Sequence, residues 1–152
     1  MTKRVLFVCT GNICRSPTAE AVFRVLVERE GLAGEIEAES AGVGGWHVGD
    51  PPDARARAAA AARGYDLEPL RASQVSAADF ERFDLILAMD RTHLRALERL
   101  RPDDARGQVR MFIDRDVPDP YYGNAEDFER TLDLIEEGAR ALLSAVLRDL
   151  KG

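Results

Sequence analysis

The chain has 152 residues, a usual length for one domain with one hydrophobic core, so we expect a single domain over residues 1–152. Hydrophobic residues make up 45% and charged residues 32%, a globular balance that excludes a disordered or collagen-like chain. Acidic residues outnumber basic ones by 27 to 21, and the net charge of −6 argues against nucleic acid as a partner, because neutralising phosphates requires Lys and Arg.

Strands and helices alternate in the predicted secondary structure. A continuous apolar run at residues 5–8 ends at a glycine-containing turn, as in a strand buried on both faces of a parallel sheet. After the turn, Ser16 and Pro17 predict a helix start with Ser16 as the N-cap, and Gly31 predicts the helix end. In chain order the pattern predicts strand 5–8, helix 17–30, strand 36–40, loop 41–52, helix 53–63, strand 83–89, helix 92–100, strand 109–113, loop 114–123 and helix 128–150.

This alternation predicts the fold class. Strands that alternate with helices form right-handed βαβ units, so we expect an α/β, doubly wound, four-stranded parallel sheet flanked by helices. Ligands of such folds bind beyond the carboxyl ends of the strands, where the strand order reverses. The loops that follow Val8, Ser40, Met89 and Ile113 are therefore the candidate site region.

Cysteine and histidine usage narrows the class further. The only cysteines, Cys9 and Cys14, share one short segment, which indicates reactivity rather than a disulfide scaffold. The two histidines, His47 and His93, are isolated, so no metal site and no cofactor are predicted. No apolar run approaches the roughly 20 residues of a membrane span, and we expect a cytoplasmic monomer without a membrane partner.

We call the segment after the first strand the phosphate loop, because its residues are suited to bind phosphate. It spans residues 9–16, C-T-G-N-I-C-R-S. Gly11 and Asn12 are the residue types most tolerant of positive φ, and such a turn aims successive backbone N–H groups inward as an anion-binding nest. The helix N-terminus supports the nest, and Arg15 adds a planar fork for two phosphate oxygens. The loop is therefore predicted to bind phosphate.

The first residue of the phosphate loop, Cys9, is the candidate nucleophile. Groups that attract an anion favour thiolate over thiol, and Ser16 can donate a hydroxyl hydrogen bond to the sulfur. Each residue alone has a plainer interpretation, Cys9 as a small buried hydrophobe and Arg15 as a surface residue. The strand, turn, arginine and helix start all in register favour phosphoryl transfer through a phosphocysteine.

These residues resemble a known family, the low-molecular-weight protein tyrosine phosphatases. The similarity covers nearly the whole chain in order, and its fold implies the same four-stranded parallel sheet. It rests on V-L-F-V-C-T-G-N-I-C-R-S-P-T-A-E at residues 5–20, S-A-G at 40–42, W-H-V-G at 46–49, L-A-M-D at 87–90 and D-P-Y-Y-G at 119–123.

The resemblance implies roles for individual residues. Cys9 would be the nucleophile, Arg15 the transition-state clamp, and Asp119 the general acid and then the base, while Asp114 and Asp116 are rival donors in the same loop. Phosphate binding and loop support would fall to Thr10, Gly11, Asn12, Ile13, Cys14, Ser16 and Ser40.

The resemblance also implies a substrate slot and partners. Trp46, Tyr121 and Tyr122 would form the aromatic walls of a deep slot that accepts phosphotyrosine in a protein substrate and excludes phosphoserine. Tyr121 and Tyr122 would themselves be targets of a kinase, as in some relatives.

One departure from the family pattern concerns the support of the phosphate loop. A histidine usually precedes the segment matching residues 71–75 and helps to hold the loop asparagine, but Leu70 stands here. Glu20, which resembles the acidic neighbour of that histidine, is then expected to lack a partner. Asn12 would be held by Ser40 and Ser16 instead, with consequences for loop rigidity and rate.

Three other functions are alternatives to phosphotyrosine hydrolysis. Arsenate reductases share a C-T-G-N-x-C-R-S loop but need a further cysteine pair, which this chain lacks. Protein-arginine phosphatases carry threonine where Ile13 stands and lack the paired tyrosines. A non-catalytic phosphate-binding module would lack a nucleophile, arginine or acid, and all three are present.

Cys14 could also form a protective disulfide with Cys9, or serve only as a buried spacer.

Overall fold

The computed structural model describes residues 2–151 of the chain. The strands are β1 (Lys3–Cys9), β2 (Ile36–Gly42), β3 (Leu85–Ala88) and β4 (Gln108–Met111). The helices are α1 (Arg15–Arg29), α2 (Ala54–Ala62), α3 (Asp79–Arg82), α4 (Arg91–Leu100) and α5 (Ala125–Lys151).

The strands form one parallel sheet in the order β2-β1-β3-β4, which confirms the predicted fold class. Val5 of β1 is the register partner of Ala38 in β2 on one side and of Leu85 in β3 on the other. The chain therefore leaves β1 toward one edge of the sheet and later returns to its other side, so the strand order reverses at β1. The loop after Cys9 lies at the crevice that this reversal creates.

Hydrophobic clusters cover both faces of the sheet. Alternate residues of β1 point to opposite faces, with Phe7 in the cluster formed with α1, α2 and α5, and Leu6 in the cluster formed with α3 and α4. The Phe7 ring makes edge-to-face contacts with Phe23 of α1 and Phe112, at centroid distances of 5.7 and 5.5 Å. Because β1 is buried on both faces, its carboxyl end is a rigid base for the phosphate loop.

Two local predictions were wrong. Helix α1 begins at Arg15 with Cys14 at the N-cap position, and no side chain caps it, whereas Ser16 was predicted to be the cap. The Ser16 hydroxyl instead faces the Cys9 sulfur and accepts a hydrogen bond from Asn12, so it is unavailable for capping. Helix α3 was not predicted at all, because a single helical turn of four residues shows no periodicity.

Helix α5 is the longest of the described helices and is amphipathic, whereas the other described helices are too short to cross a bilayer. Within residues 2–151, no helix combines the length and the apolar character that a membrane span requires.

Candidate active site

The backbone of the phosphate loop depends on one left-handed residue and one close approach. Asn12 has φ of 59°, as predicted for the turn, whereas Gly11 has no positive φ, contrary to the prediction. Gly11 is needed for space, because a Cβ there would lie 2.9 Å from Cδ2 of His47. The loop thus uses Asn12 to turn and Gly11 to let His47 pack against the backbone.

The side chain of Asn12 anchors the phosphate loop from behind. Its Nδ2 donates to Ser16 Oγ at 2.8 Å and to Ser40 Oγ at 2.9 Å, the two contacts expected in place of a histidine. Its Oδ1 accepts a hydrogen bond from the backbone N–H of Ser73 at 2.9 Å. Both amide protons and the amide oxygen are therefore used, which holds the left-handed turn in place.

Glu20 was expected to lack a partner, and this expectation was wrong. The Ser40 hydroxyl donates to Glu20 Oε1 at 2.6 Å, and Arg24 lies 2.8 Å from Glu20 Oε2. Burial raises the pKa of Glu20, while the Ser40 hydrogen bond and the Arg24 charge act against that rise. Leu70, at the place of the family histidine, packs against the hydrophobic core instead.

Cys9 and Arg15 meet at the carboxyl edge of the sheet. The Cys9 sulfur is buried, and Sγ lies 2.9 Å from Ser16 Oγ. Arg15 Nη1 donates to Asp90 Oδ2 and to the Val117 carbonyl, both at 2.9 Å, and Nη2 donates to Thr10 Oγ1 at 3.4 Å. These contacts use three of the five guanidinium N–H groups, so Nε–H and one Nη2–H remain as a fork for a phosphate.

Asp90 is a functional residue that the sequence analysis did not select. Burial opposes its ionisation, but hydrogen bonds from Thr92, the His93 N–H and Arg15 outweigh burial and lower the pKa of Asp90 to about 2. The same carboxylate caps α4 and holds Arg15. An acidic residue directly after β3, at the edge where the phosphate loop lies, was the signal that could have identified it.

Of the three candidate acids, only Asp119 lies at the site. Its Oδ2 is 3.6 Å from Arg15 Nη2, and its Oδ1 accepts a hydrogen bond from the Tyr121 N–H at 3.1 Å. Asp116 accepts a hydrogen bond from the backbone N–H of Arg91, and Asp114 is an exposed partner of Arg115. The geometry therefore favours Asp119 over its two rivals.

A cavity of about 290 Å³ brings most of the predicted site residues together. It is lined by Cys9, Thr10, Gly11, Ile13, Cys14, Arg15, Trp46, His47, Asp119, Tyr121 and Tyr122. The other predicted residues, Asn12, Ser16 and Ser40, do not line the cavity; the hydrogen bonds among their side chains support the phosphate loop. His47 lines the cavity without having been predicted there.

The aromatic rim of this cavity, Trp46, Tyr121 and Tyr122, is open to solvent. Trp46 is 75% exposed and Tyr122 is 94% exposed. The two tyrosine rings meet edge-on at 4.9 Å, and the Trp46 ring lies against Gly44 so closely that a Cβ there would overlap it. Aromatic surface left exposed beside a charged cavity is available to a planar ligand.

Cys14 is buried at the start of α1, and both cysteines are free thiols. Burial raises the pKa of the Cys14 thiol, and Asp53 raises it further.

Among residues 2–151, no group of three or more His, Cys, Asp or Glu side chains is arranged to hold a metal ion.

Comparisons with known proteins identify the family. The family model for low molecular weight phosphotyrosine protein phosphatase matches residues 4–151. A low molecular weight protein-tyrosine-phosphatase of Streptomyces coelicolor is 48% identical, over 100% of this chain and 98% of that relative. The chain belongs to this family. It is therefore a phosphatase enzyme, and the resemblance drawn from its motifs is confirmed.

Solved structures agree with this family assignment. A protein tyrosine phosphatase from Entamoeba histolytica, with Hepes in its active site, superposes with a TM-score of 0.93 at 33% identity, over 97% of this chain and 99% of that one. YfkJ from Bacillus subtilis superposes with a TM-score of 0.92 at 39% identity, over 98% of this chain and 97% of that one. The family supports phosphotyrosine hydrolysis and does not favour the arginine phosphatase alternative.

Proposed function

We propose that this phosphatase hydrolyses phosphotyrosine in proteins, and other aryl phosphate monoesters, through a phosphocysteine at Cys9. One observation carries the proposal: Cys9 lines a cavity in which Arg15 keeps an unused Nε–H and Nη2–H fork and Asp119 lies 3.6 Å from that guanidinium. Nucleophile, charge clamp and proton donor are thus within reach of one phosphoryl group.

In the first step the Cys9 thiolate attacks phosphorus and the bond from phosphorus to the tyrosine oxygen breaks. The leaving phenolate takes a proton from Asp119, because a phenol with a pKa of about 10 is a poor leaving group without one. Arg15 and the backbone N–H groups of the phosphate loop hold the equatorial oxygens, on which the charge is spread.

In the second step a water molecule attacks the phosphocysteine, and Asp119 takes one proton from that water. The bond from sulfur to phosphorus breaks, inorganic phosphate forms, and Cys9 leaves as a thiolate. Ser16 Oγ accepts a hydrogen bond from Asn12, and its own proton points at the sulfur 2.9 Å away in preference to the Ala41 carbonyl at 3.4 Å. That proton stabilises the departing thiolate.

Substrate choice is assigned to the rim. Aromatic side chains on the rim can contact both faces of a phenyl ring, whereas phosphoserine carries its phosphate on a stem too short to reach past them.

Because the phosphate loop and Arg15 supply the positive charge that a metal ion would otherwise provide, we propose a metal-independent reaction.

We propose a cytoplasmic monomer whose Tyr121 and Tyr122 are targets of a kinase, and the 94% exposure of Tyr122 supports access to that residue.

We also propose that peroxide oxidises Cys9 and that Cys14 then forms a disulfide with it, releasing water, because both thiols are free and share the phosphate loop. If so, the Cys14→Ser variant recovers less activity in dithiothreitol after peroxide treatment than the unaltered enzyme.

The test of the proposed function compares turnover on matched phosphotyrosine, phosphoserine and phosphoarginine peptides, with and without EDTA. We expect strong preference for phosphotyrosine, unchanged by EDTA, and no turnover by a Cys9→Ser variant. Preference for phosphoarginine, or loss of activity in EDTA, would contradict the proposal.

A further inference from the structure

Arg15 forms a closed ring of contacts with three side chains that the proposed reaction steps do not use, namely Asp90, Thr10 and His93. Asp90 Oδ2 accepts from Arg15 Nη1 at 2.9 Å, and Arg15 Nη2 donates to Thr10 Oγ1 at 3.4 Å. Thr10 Oγ1 lies 2.7 Å from His93 Nε2, and His93 Nδ1 lies 3.2 Å from Asp90 Oδ1. Asp90 therefore reaches the guanidinium twice, once directly and once through His93 and Thr10.

His93 is an unusual member of this ring. Its side chain is 4% exposed, and its Nδ1 is the one buried side-chain nitrogen or oxygen of residues 2–151 without a hydrogen bond. The Asp90 carboxylate lies close to that nitrogen, but at an angle too poor for a hydrogen bond. Burial and the Arg15 charge together lower the pKa of His93 to about 4 against the opposing charge of Asp90, so the imidazole is neutral near pH 7.

A neutral imidazole has one N–H and one lone pair, so the proton is on one of two nitrogens. With the proton on Nε2, the bare lone pair of Nδ1 would face the Asp90 carboxylate inside a buried site. With the proton on Nδ1, the N–H dipole lies 3.2 Å from a negative oxygen, an attractive contact without hydrogen-bond geometry, and Nε2 accepts the Thr10 hydroxyl proton. The second tautomer removes the repulsion, and it leaves the Thr10 oxygen lone pairs free for Arg15.

We propose that His93 is a positioning residue for the phosphatase reaction, which orients the Thr10 hydroxyl so that its oxygen accepts from Arg15 Nη2. The inference rests on the proposed function, since it concerns the guanidinium that clamps the phosphoryl group. Asp90 and Val117 hold only Nη1, and the contact with Thr10 holds the other end of the guanidinium. Without that contact the Nε and Nη2 fork can rotate away from the phosphate.

Two substitutions of His93 separate the proposed role from simple packing. A Gln at this position places its carbonyl oxygen near the site of Nε2 and can accept the Thr10 proton, whereas an Asn reaches only the site of Nδ1. We expect His93→Asn to lower kcat by about tenfold to a hundredfold, the range for one hydrogen bond to a charged group, and His93→Gln to restore most of that loss. The Thr10→Val variant should lose as much as His93→Asn, and the double variant should lose little more.

Inhibition by vanadate and inorganic phosphate gives a readout that lost stability would not move. Vanadate mimics the transition state, so its inhibition constant should rise with the loss of kcat in His93→Asn, while that of inorganic phosphate changes less. Leu97→Val, on the buried face of α4, is the stability control: it should lower the melting temperature without changing kcat.

Several outcomes would overturn the inference. Equal losses in His93→Gln and His93→Asn, additive losses in the double variant, or an unchanged vanadate constant would each show that His93 does not act through Thr10. An unaltered enzyme without turnover on phosphotyrosine would instead contradict the proposed function, and the two failures are thus distinguishable.

Discussion

The phosphate loop and the rim of the same cavity are built in opposite ways. In the loop, Asn12 and Arg15 are buried, and their side chains donate hydrogen bonds to β2, to the N-cap residue of α4 and to the segment before α5. On the rim, Trp46 and Tyr122 are largely exposed. The difference indicates that the chemistry depends on a network fixed before substrate arrives, while substrate choice depends on side chains that solvent still reaches.

Asp119 lies between these two regions. Its carboxylate is 45% exposed, yet it faces the buried Arg15 guanidinium. The proposed role of Asp119, which donates a proton to the leaving group and then accepts one from water, requires access to solvent, which the buried loop residues do not have. Substitutions in the loop should therefore lower activity more than substitutions on the rim.

Replacing either central loop residue should abolish turnover. Cys9→Ser removes the nucleophile, and Arg15→Ala removes the charge that stabilises the transferring phosphoryl group. We expect both variants to show no turnover above background with 4-nitrophenyl phosphate. Retained circular dichroism would serve as the folding control, and measurable turnover by Cys9→Ser would place the nucleophile elsewhere.

Replacing Asp119 should slow the reaction in a way that depends on the leaving group. We expect Asp119→Asn to lower kcat about 10²- to 10⁴-fold for phenyl phosphate, the usual range for general acid catalysis, and much less for an ester with an acidic phenol. Asp116→Asn is the matched control and should change neither rate. If the two substrates slow equally, Asp119 is not the proton donor.

The folding stability of the protein should decrease in acid because His93, which contacts the phosphate loop, is buried in its neutral form. Its pKa lies near 4 in the folded protein and at 6.5 ordinarily, so the unfolded chain binds more protons between these values. Stability is therefore complete above about pH 6.5 and falls as the pH drops toward 4, by about 2–3 kcal/mol if His93 acts alone. Denaturant unfolding of the unaltered protein and of His93→Gln should diverge over this range, and parallel curves would exclude this contribution.

Changes on the rim should be smaller and should affect substrate binding. Trp46→Ala removes one aromatic surface and leaves the side chains that hold the Arg15 guanidinium, Asp90, Thr10 and His93, unchanged. We expect KM for a phosphotyrosine peptide to rise several-fold, about 1 kcal/mol, with kcat nearly unchanged. Steady-state kinetics on the peptide and on inorganic phosphate as inhibitor would check this, and a fall in kcat alone would link the rim to the chemistry.

The fold was predictable from the sequence because its strands are short apolar runs that alternate with helices. The run at residues 5–8 and the glycines 31 and 64 located β1 and the ends of α1 and α2 well. Ser16 was misjudged as a helix cap because its hydroxyl is used by a cysteine seven positions earlier, a contact that only the folded loop creates. Local propensity does not register such contacts.

The site was predictable where one segment or one motif carried it. Cys9, Arg15 and Asp119 followed from the phosphate loop and from the resemblance. Asp90 and His93 did not, because their partners in the ring lie 75 and 83 positions away along the chain. Glu20 was expected to lack a partner because Leu70 replaces the family histidine, but Ser40 of β2 and Arg24 of α1 both contact it.

Trapping the phosphorylated enzyme tests the central claim most directly. The Asp119→Asn variant, mixed rapidly with 4-nitrophenyl phosphate and quenched, should retain one phosphoryl group, because water then lacks its general base. Mass spectrometry of the digested protein should locate that group on the sulfur of Cys9. A phosphoryl group on Cys14 or on a carboxylate, or burst kinetics without any covalent adduct, would contradict the account.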